Sequence, residues 1–103
     1  EIREYLTRKG YICEVAEDGA KALARLKQSE LDLLITDIKM PRLDGKDLVR
    51  FARELAPKMP IIAITGHGSY RGLKKIDGID ADVALAKPIS LRELFSHVQR
   101  LLG

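Results

Sequence analysis

The 103-residue chain has a single cysteine, Cys13. One thiol excludes an internal disulfide framework and a cysteine-based zinc cluster. It fits a reducing, cytoplasmic setting, which is the localisation expected here. Long apolar runs are also lacking. None approaches the roughly 20 residues of a membrane span, and no leader segment is read at the start. Aromatic residues are few, and the 18 Lys and Arg are spread along the chain among 15 Asp and Glu, leaving a formal charge of only +3. Nucleic-acid binding normally uses a clustered basic face, so it is not expected of this domain. There is no repeat, low-complexity stretch or linker. The length suits one small domain spanning 1–103 around one core.

What the sequence does have is an alternation of short apolar runs with helical periodicity. Residues 1–9 read as the later part of a helix, with Ile2, Tyr5 and Leu6 on one face and Gly10 as its stop. Residues 11–15 (YICEV) read as a strand near a sheet edge, given the exposed Glu14. Asp18 is placed to cap a helix over roughly 19–28 with Ala20, Leu23 and Ala24 inward. In LDLLITD (31–37), Leu33, Leu34 and Ile35 are consecutive, as a strand buried on both faces requires. Leu48, Phe51, Ala52 and Leu55 form a helical stripe that Pro57 and Pro60 end. IIAIT (61–65) is a second apolar strand, followed by a Gly-rich loop at 66–69 and a weak helical segment at 70–76. DVALA (82–86) is a third apolar strand. Ser90 with Glu93 forms a capping box opening a helix with Leu91, Leu94, Phe95, Val98, Leu101 and Leu102 inward. Strands alternating with helices predict right-handed crossovers and a parallel sheet. Ligand sites in such sheets lie at the carboxyl ends of the strands.

Three polar residues stand at three such ends: Asp37, Thr65 and Lys87. A strand-end carboxylate can attack phosphorus and become an acyl phosphate. Catalysis of phosphoryl transfer is mostly positioning and charge stabilisation, which an ammonium and a hydroxyl can supply at the outer oxygens. A divalent cation, normally Mg²⁺, would take further oxygen ligands there.

The segments ITDIKMPRLDG (35–45), ITGHGS (64–69) and ALAKPIS (84–90) carry a resemblance to the receiver domain of two-component response regulators, extending over all 103 residues. It implies an α/β, flavodoxin-like (βα)5 doubly wound parallel sheet of order 2-1-3-4-5. It implies that Asp37 is the phosphoacceptor and a Mg²⁺ ligand. Thr65 and Lys87 would contact the phosphoryl group, the backbone carbonyl of Lys39 would ligate the metal, and the Lys87–Pro88 bond would be cis. Lys39, Gly66, His67 and Pro88 would flank the pocket. Gly66 would let backbone approach the phosphoryl group, and Lys39 and His67 would set its lifetime. Asp44 reads as a helix cap and not as a metal ligand. The implied donor is a histidine kinase or phosphotransfer protein. The implied output is a phosphorylation-dependent surface change read by a protein partner or an attached effector domain, with a homodimer left open. The implied role is signalling and not that of an enzyme.

The sequence departs from the family in two places. It opens inside the family's first helix, so the first strand, central in the order, and the acidic residues that complete the metal site are not among residues 1–103. Residues upstream of Glu1, a second chain, or a fragment unable to hold metal would each account for this; the first is expected. Ala84 stands where many receivers carry Tyr, Phe or His three residues before the lysine, and a methyl group cannot act as a rotating switch. A subtler output is therefore expected. The alternative function is a phosphorylation-independent pseudo-receiver that binds proteins. A haloacid-dehalogenase-type phosphotransferase needs a second Asp two residues after the nucleophile, where this chain has Lys39. A dinucleotide fingerprint fails because Gly66-His67-Gly68 lacks its third glycine.

Overall fold

The computed structural model describes residues 1–39, 44–66, 75–76 and 79–103. Among the described residues four helices, α1 (Ile2–Arg8), α2 (Gly19–Gln28), α3 (Gly45–Leu55) and α4 (Leu91–Leu102), alternate with strands β1 (Leu34–Asp37), β2 (Ile61–Thr65) and β5 (Val83–Ala86). Two further short strands, β3 (Lys75–Ile76) and β4 (Ile79–Asp80), form an antiparallel pair. The main sheet runs β1-β2-β5 and both its ladders are parallel. This is the doubly wound, flavodoxin-like α/β arrangement, carried by the strands that occupy third, fourth and fifth place in the order 2-1-3-4-5.

Two apolar layers sandwich the sheet because successive strand residues point to opposite faces. On one face Val49, Ala52, Met59, Ile61, Ala63, Ile79 and Ala81 are buried together, with Leu26, Leu31 and Leu34 packed against them. On the other, Ile62, Val83 and Leu85 meet Leu6 of α1 and Leu94 and Val98 of α4. Central β2 is buried throughout, as a strand flanked by two others and covered on both faces should be. Fully burying a side chain such as Ile62 or Leu94 contributes about 2 kcal/mol.

Several sequence expectations are corrected. Residues 11–16 form no strand. In the order 2-1-3-4-5 that segment pairs with the first strand, which residues 1–103 do not include, and an unpaired strand has no ladder to hold it. Gly10, at a φ of 101°, turns the chain out of α1, and the Tyr11 amide donates to the Leu6 carbonyl. Tyr11 and Cys13 still pack against the α1–α4 layer, while Ile12 is 99% exposed. The apolar side chains of β1 are half-buried, not fully buried, because β1 has a strand partner on one side only among the described residues.

Two helices are rotated from their expected faces. In α2, Ala20 and Ala24 are exposed, whereas Gly19 is buried and Ala22, Leu23 and Leu26 are half-buried. In α3, Leu55 is 48% exposed and Val49 takes its place in the core, beside Gly45, Leu48 and Ala52. Both helices bury their first residue, a glycine, and the inward stripe continues at i+3, i+4 and i+7 from it. Lys75–Ile76, expected to end a helical segment, belong to the β3–β4 pair. The signal was Asp77-Gly78 between Ile76 and Ile79, a dipeptide strongly preferred in hairpins. Residues 70–74 of the expected helical segment and residues 67–69 of the expected Gly-rich loop lie outside the described residues.

The caps follow the sequence. Asp18 and Asp44 accept from the backbone amides of Lys21 and Asp47, and Ser90 Oγ accepts from that of Glu93. Each satisfies one of the amides that a helix start leaves without an intrahelical partner.

Candidate functional site

The carboxyl ends of the three parallel strands form one rim, and the register sets its layout. Asp37 pairs with Ile64 and Thr65 with Ala86, so Lys87 follows one residue beyond the last pair. Alternation then puts Asp37, Ile64 and Lys87 on the same face, toward α1 and α4. Lys87 Nζ lies 3.3 Å from Asp37 Oδ1. The pair is about half exposed and opens onto a cleft of roughly 610 Å³, whose other wall is α1 with Glu1, Glu4, Tyr5 and Arg8. The carboxylate is thus both reachable and next to a cation that can neutralise an incoming anion.

Thr65 ends β2 on the opposite face of the strand and is buried. Its carbonyl accepts from the Lys87 amide at 2.8 Å, which ties the turn after β5 to the end of β2. The Lys87–Pro88 bond is cis. Of the flanking residues, Lys39, Gly66 and Pro88 are exposed on the rim, and His67 lies outside the described residues. Asp44 is a helix cap, as expected.

Backbone contacts below the rim are tighter than the sequence suggests. The Ile38 amide donates to the Ile64 carbonyl at 2.9 Å, and the Gly45 amide donates to the Ile38 carbonyl at 2.7 Å. A Cβ on Gly45 would lie 2.2 Å from the Asp37 carbonyl oxygen and 2.6 Å from Ile38 Cα. The first turn of α3 therefore sits directly on the backbone of the Asp37 turn. Thr36, buried on the α3 side, donates its hydroxyl to the Asp37 carbonyl at 2.9 Å. Sequence reasoning passed over Thr36. The signal was a hydroxyl within an otherwise apolar strand, immediately before the candidate nucleophile.

The oxygen donors suit a hard cation but are few. Among the described residues no three His, Cys, Asp or Glu side chains gather to hold a metal ion. Among the described residues the Asp37 carboxylate stands on this rim, and Glu1 and Glu4 line the same cleft. Magnesium retains water and takes substrate phosphate oxygens alongside one or two carboxylates, so the chemistry of this donor set is compatible with it. Among the described residues no helix is long and apolar enough to cross a membrane.

The comparisons with known proteins agree on the family and the fold. The family model described as response regulator receiver domain matches residues 1–99. The response regulator MprA of Mycobacterium leprae is 36% identical over 103 residues, covering 98% of this chain and 44% of its own length. The chain thus spans less than half of the curated relatives it matches. Among solved structures, the response regulator protein TrrA from Thermotoga maritima, in complex with Mg(2+)-BeF, superposes with a TM-score of 0.85 at 31% identity, over 98% of this chain and 86% of that one. A response regulator receiver protein from Sinorhizobium medicae gives a TM-score of 0.85 at 33% identity, over 98% and 82% of the two chains.

Proposed function

Because the chain belongs to the response regulator receiver domain family, we propose that it is a working phosphoacceptor whose Asp37 takes a phosphoryl group from a histidine kinase or phosphotransfer protein. The observation that carries this reading is the 3.3 Å approach of Lys87 Nζ to Asp37 Oδ1 at the rim of the sheet. An Asp37 carboxylate oxygen attacks phosphorus, the bond from phosphorus to the donor breaks, and an acyl phosphate results. Lys87 stabilises charge on an outer phosphoryl oxygen, and the Thr65 hydroxyl donates to another. Mg²⁺, when bound, supplies further charge neutralisation, with Asp37 and the Lys39 carbonyl as this chain's ligands. Lys39 and His67 set the lifetime of the phosphorylated form, and Gly66 and Pro88 shape the pocket. The domain occupies residues 1–103 and acts in the cytoplasm as a signalling element. A protein partner or an attached effector domain reads its altered surface.

The test is intact mass after incubation with acetyl phosphate and Mg²⁺. The unsubstituted chain should gain one phosphoryl group and Asp37→Asn should gain none. No gain on the folded, unsubstituted chain would favour a phosphorylation-independent binding module instead.

A further inference from the structure

The peptide unit that follows Asp37 is held at both ends. Its carbonyl oxygen, that of Asp37, accepts from Thr36 Oγ1 at 2.9 Å. Its amide, that of Ile38, donates to the Ile64 carbonyl at 2.9 Å. Gly45 closes the remaining side: its missing Cβ would fall 2.2 Å from the same carbonyl oxygen. The peptide before Asp37 is already fixed by the β1–β2 ladder. With both flanking peptides held, the Cα–Cβ direction of Asp37 is set, and from it the carboxylate reaches Lys87 Nζ at 3.3 Å. Reaction at a fixed nucleophile needs near-attack geometry, and small misplacements cost rate steeply. Burial alone does not call for a hydroxyl at position 36. Valine has nearly the same shape and would suit the neighbouring Leu34 and Ala63 at least as well. The hydroxyl supplies a bond to the Asp37 carbonyl that valine cannot make.

We propose that Thr36 is a positioning residue for phosphoryl transfer: its hydroxyl locks the Asp37–Ile38 peptide and thereby holds the carboxylate in line with the incoming phosphorus. This rests on the reading of Asp37 as acceptor. In the assay reaction an Asp37 Oδ–P bond forms, the P–O bond to the acetyl group breaks, and acetate leaves.

The test compares Thr36→Val and Thr36→Ser with the unsubstituted chain. Phosphorylation rates are measured over a series of acetyl phosphate concentrations with Mg²⁺, together with hydrogen exchange at the Ile38 amide and the thermal midpoint. Thr36→Val should lower the maximal rate on the order of tenfold while leaving the donor concentration for half-saturation unchanged. The Ile38 amide should exchange on the order of tenfold faster. Thr36→Ser keeps the donor and should restore both. Valine matching the unsubstituted chain in rate and exchange would overturn the proposal. So would a serine variant as slow as valine with an equally lowered midpoint, which would mean that Thr36 acts by packing. If the unsubstituted chain takes no phosphate, the acceptor reading itself fails and this proposal falls with it.

Discussion

Lys87 and Asp37 form their ion pair across an intervening strand: one side chain leaves the end of β5, the other the end of β1, and β2 runs between them. The contact depends on the register of both ladders, since a slip of one residue would send either side chain to the opposite face. Both partners are about half exposed, so the pair adds only about 0–1 kcal/mol to stability. In the proposed phosphoryl transfer its chemical use is the larger effect. Lys87→Met should slow phosphoryl transfer to Asp37 on the order of a hundredfold and shift the unfolding free energy by under about 1 kcal/mol. Phosphorylation kinetics and urea unfolding of the same variant check the two halves of that expectation.

Gly45 is where the backbone of α3 meets the Asp37 turn. A methyl group there would overlap the Asp37 carbonyl oxygen, Ile38 Cα and the Ile38 carbonyl oxygen, all of them backbone atoms that no rotamer change can move. Gly45→Ala should cost about 3 kcal/mol, the upper part of the usual overpacking range. Equilibrium denaturation measures this directly. A variant as stable as the unsubstituted chain would show that α3 can lift away from the turn.

Asp82 secures the start of β5. Its Oδ2 accepts from the fully buried Ile61 amide at 2.8 Å and from Arg53 at 2.9 Å. Arg53 also donates to the carbonyls of Met59 and Asp80, so one guanidinium joins α3, the entry to β2 and the end of β4. Asp82→Ala leaves the Ile61 amide without that acceptor and should destabilise by about 2 kcal/mol. Asp47→Ala, which removes an exposed carboxylate paired with Arg50, should cost under about 1 kcal/mol. Urea unfolding of the two variants side by side makes the comparison.

Ser90 Oγ accepts from the Glu93 amide at 3.1 Å and opens the longest helix of the described residues. Ser90→Ala should lower stability by about 1 kcal/mol, while Ser90→Asp, which also caps, should stay within a few tenths of the unsubstituted chain. Thermal or chemical unfolding distinguishes loss of the cap from a general effect of changing position 90.

The candidate site was legible in the sequence because its residues end apolar runs. A strand buried between layers reads as consecutive aliphatic residues, and a charged or hydroxyl side chain at its end marks where the chain emerges at the rim. Asp37, Thr65 and Lys87 are found at those ends. Helix α4 was legible for a similar reason, with a strong cap and a long apolar stripe. What was not legible depends on partners distant in sequence. YICEV has strand composition, but a ladder needs a neighbour. The faces of α2 and α3 were misjudged because aliphatic periodicity alone fits two stripes about one residue apart. The buried glycines, Gly19 and Gly45, choose between them by allowing close approach at the first turn. The bond from Thr36 to Asp37 was hidden because a threonine in a strand is ordinarily explained by β-propensity.

The most direct measurement is the position of the phosphoryl group itself. The chain is treated with acetyl phosphate and Mg²⁺, the acyl phosphate is trapped by borohydride reduction, and the modified residue is located by peptide mass mapping. Reduction confined to residue 37, and absent from Asp37→Asn, is the expected result. Reduction at another carboxylate, or at none on a folded chain, would contradict the assignment of Asp37 as the acceptor.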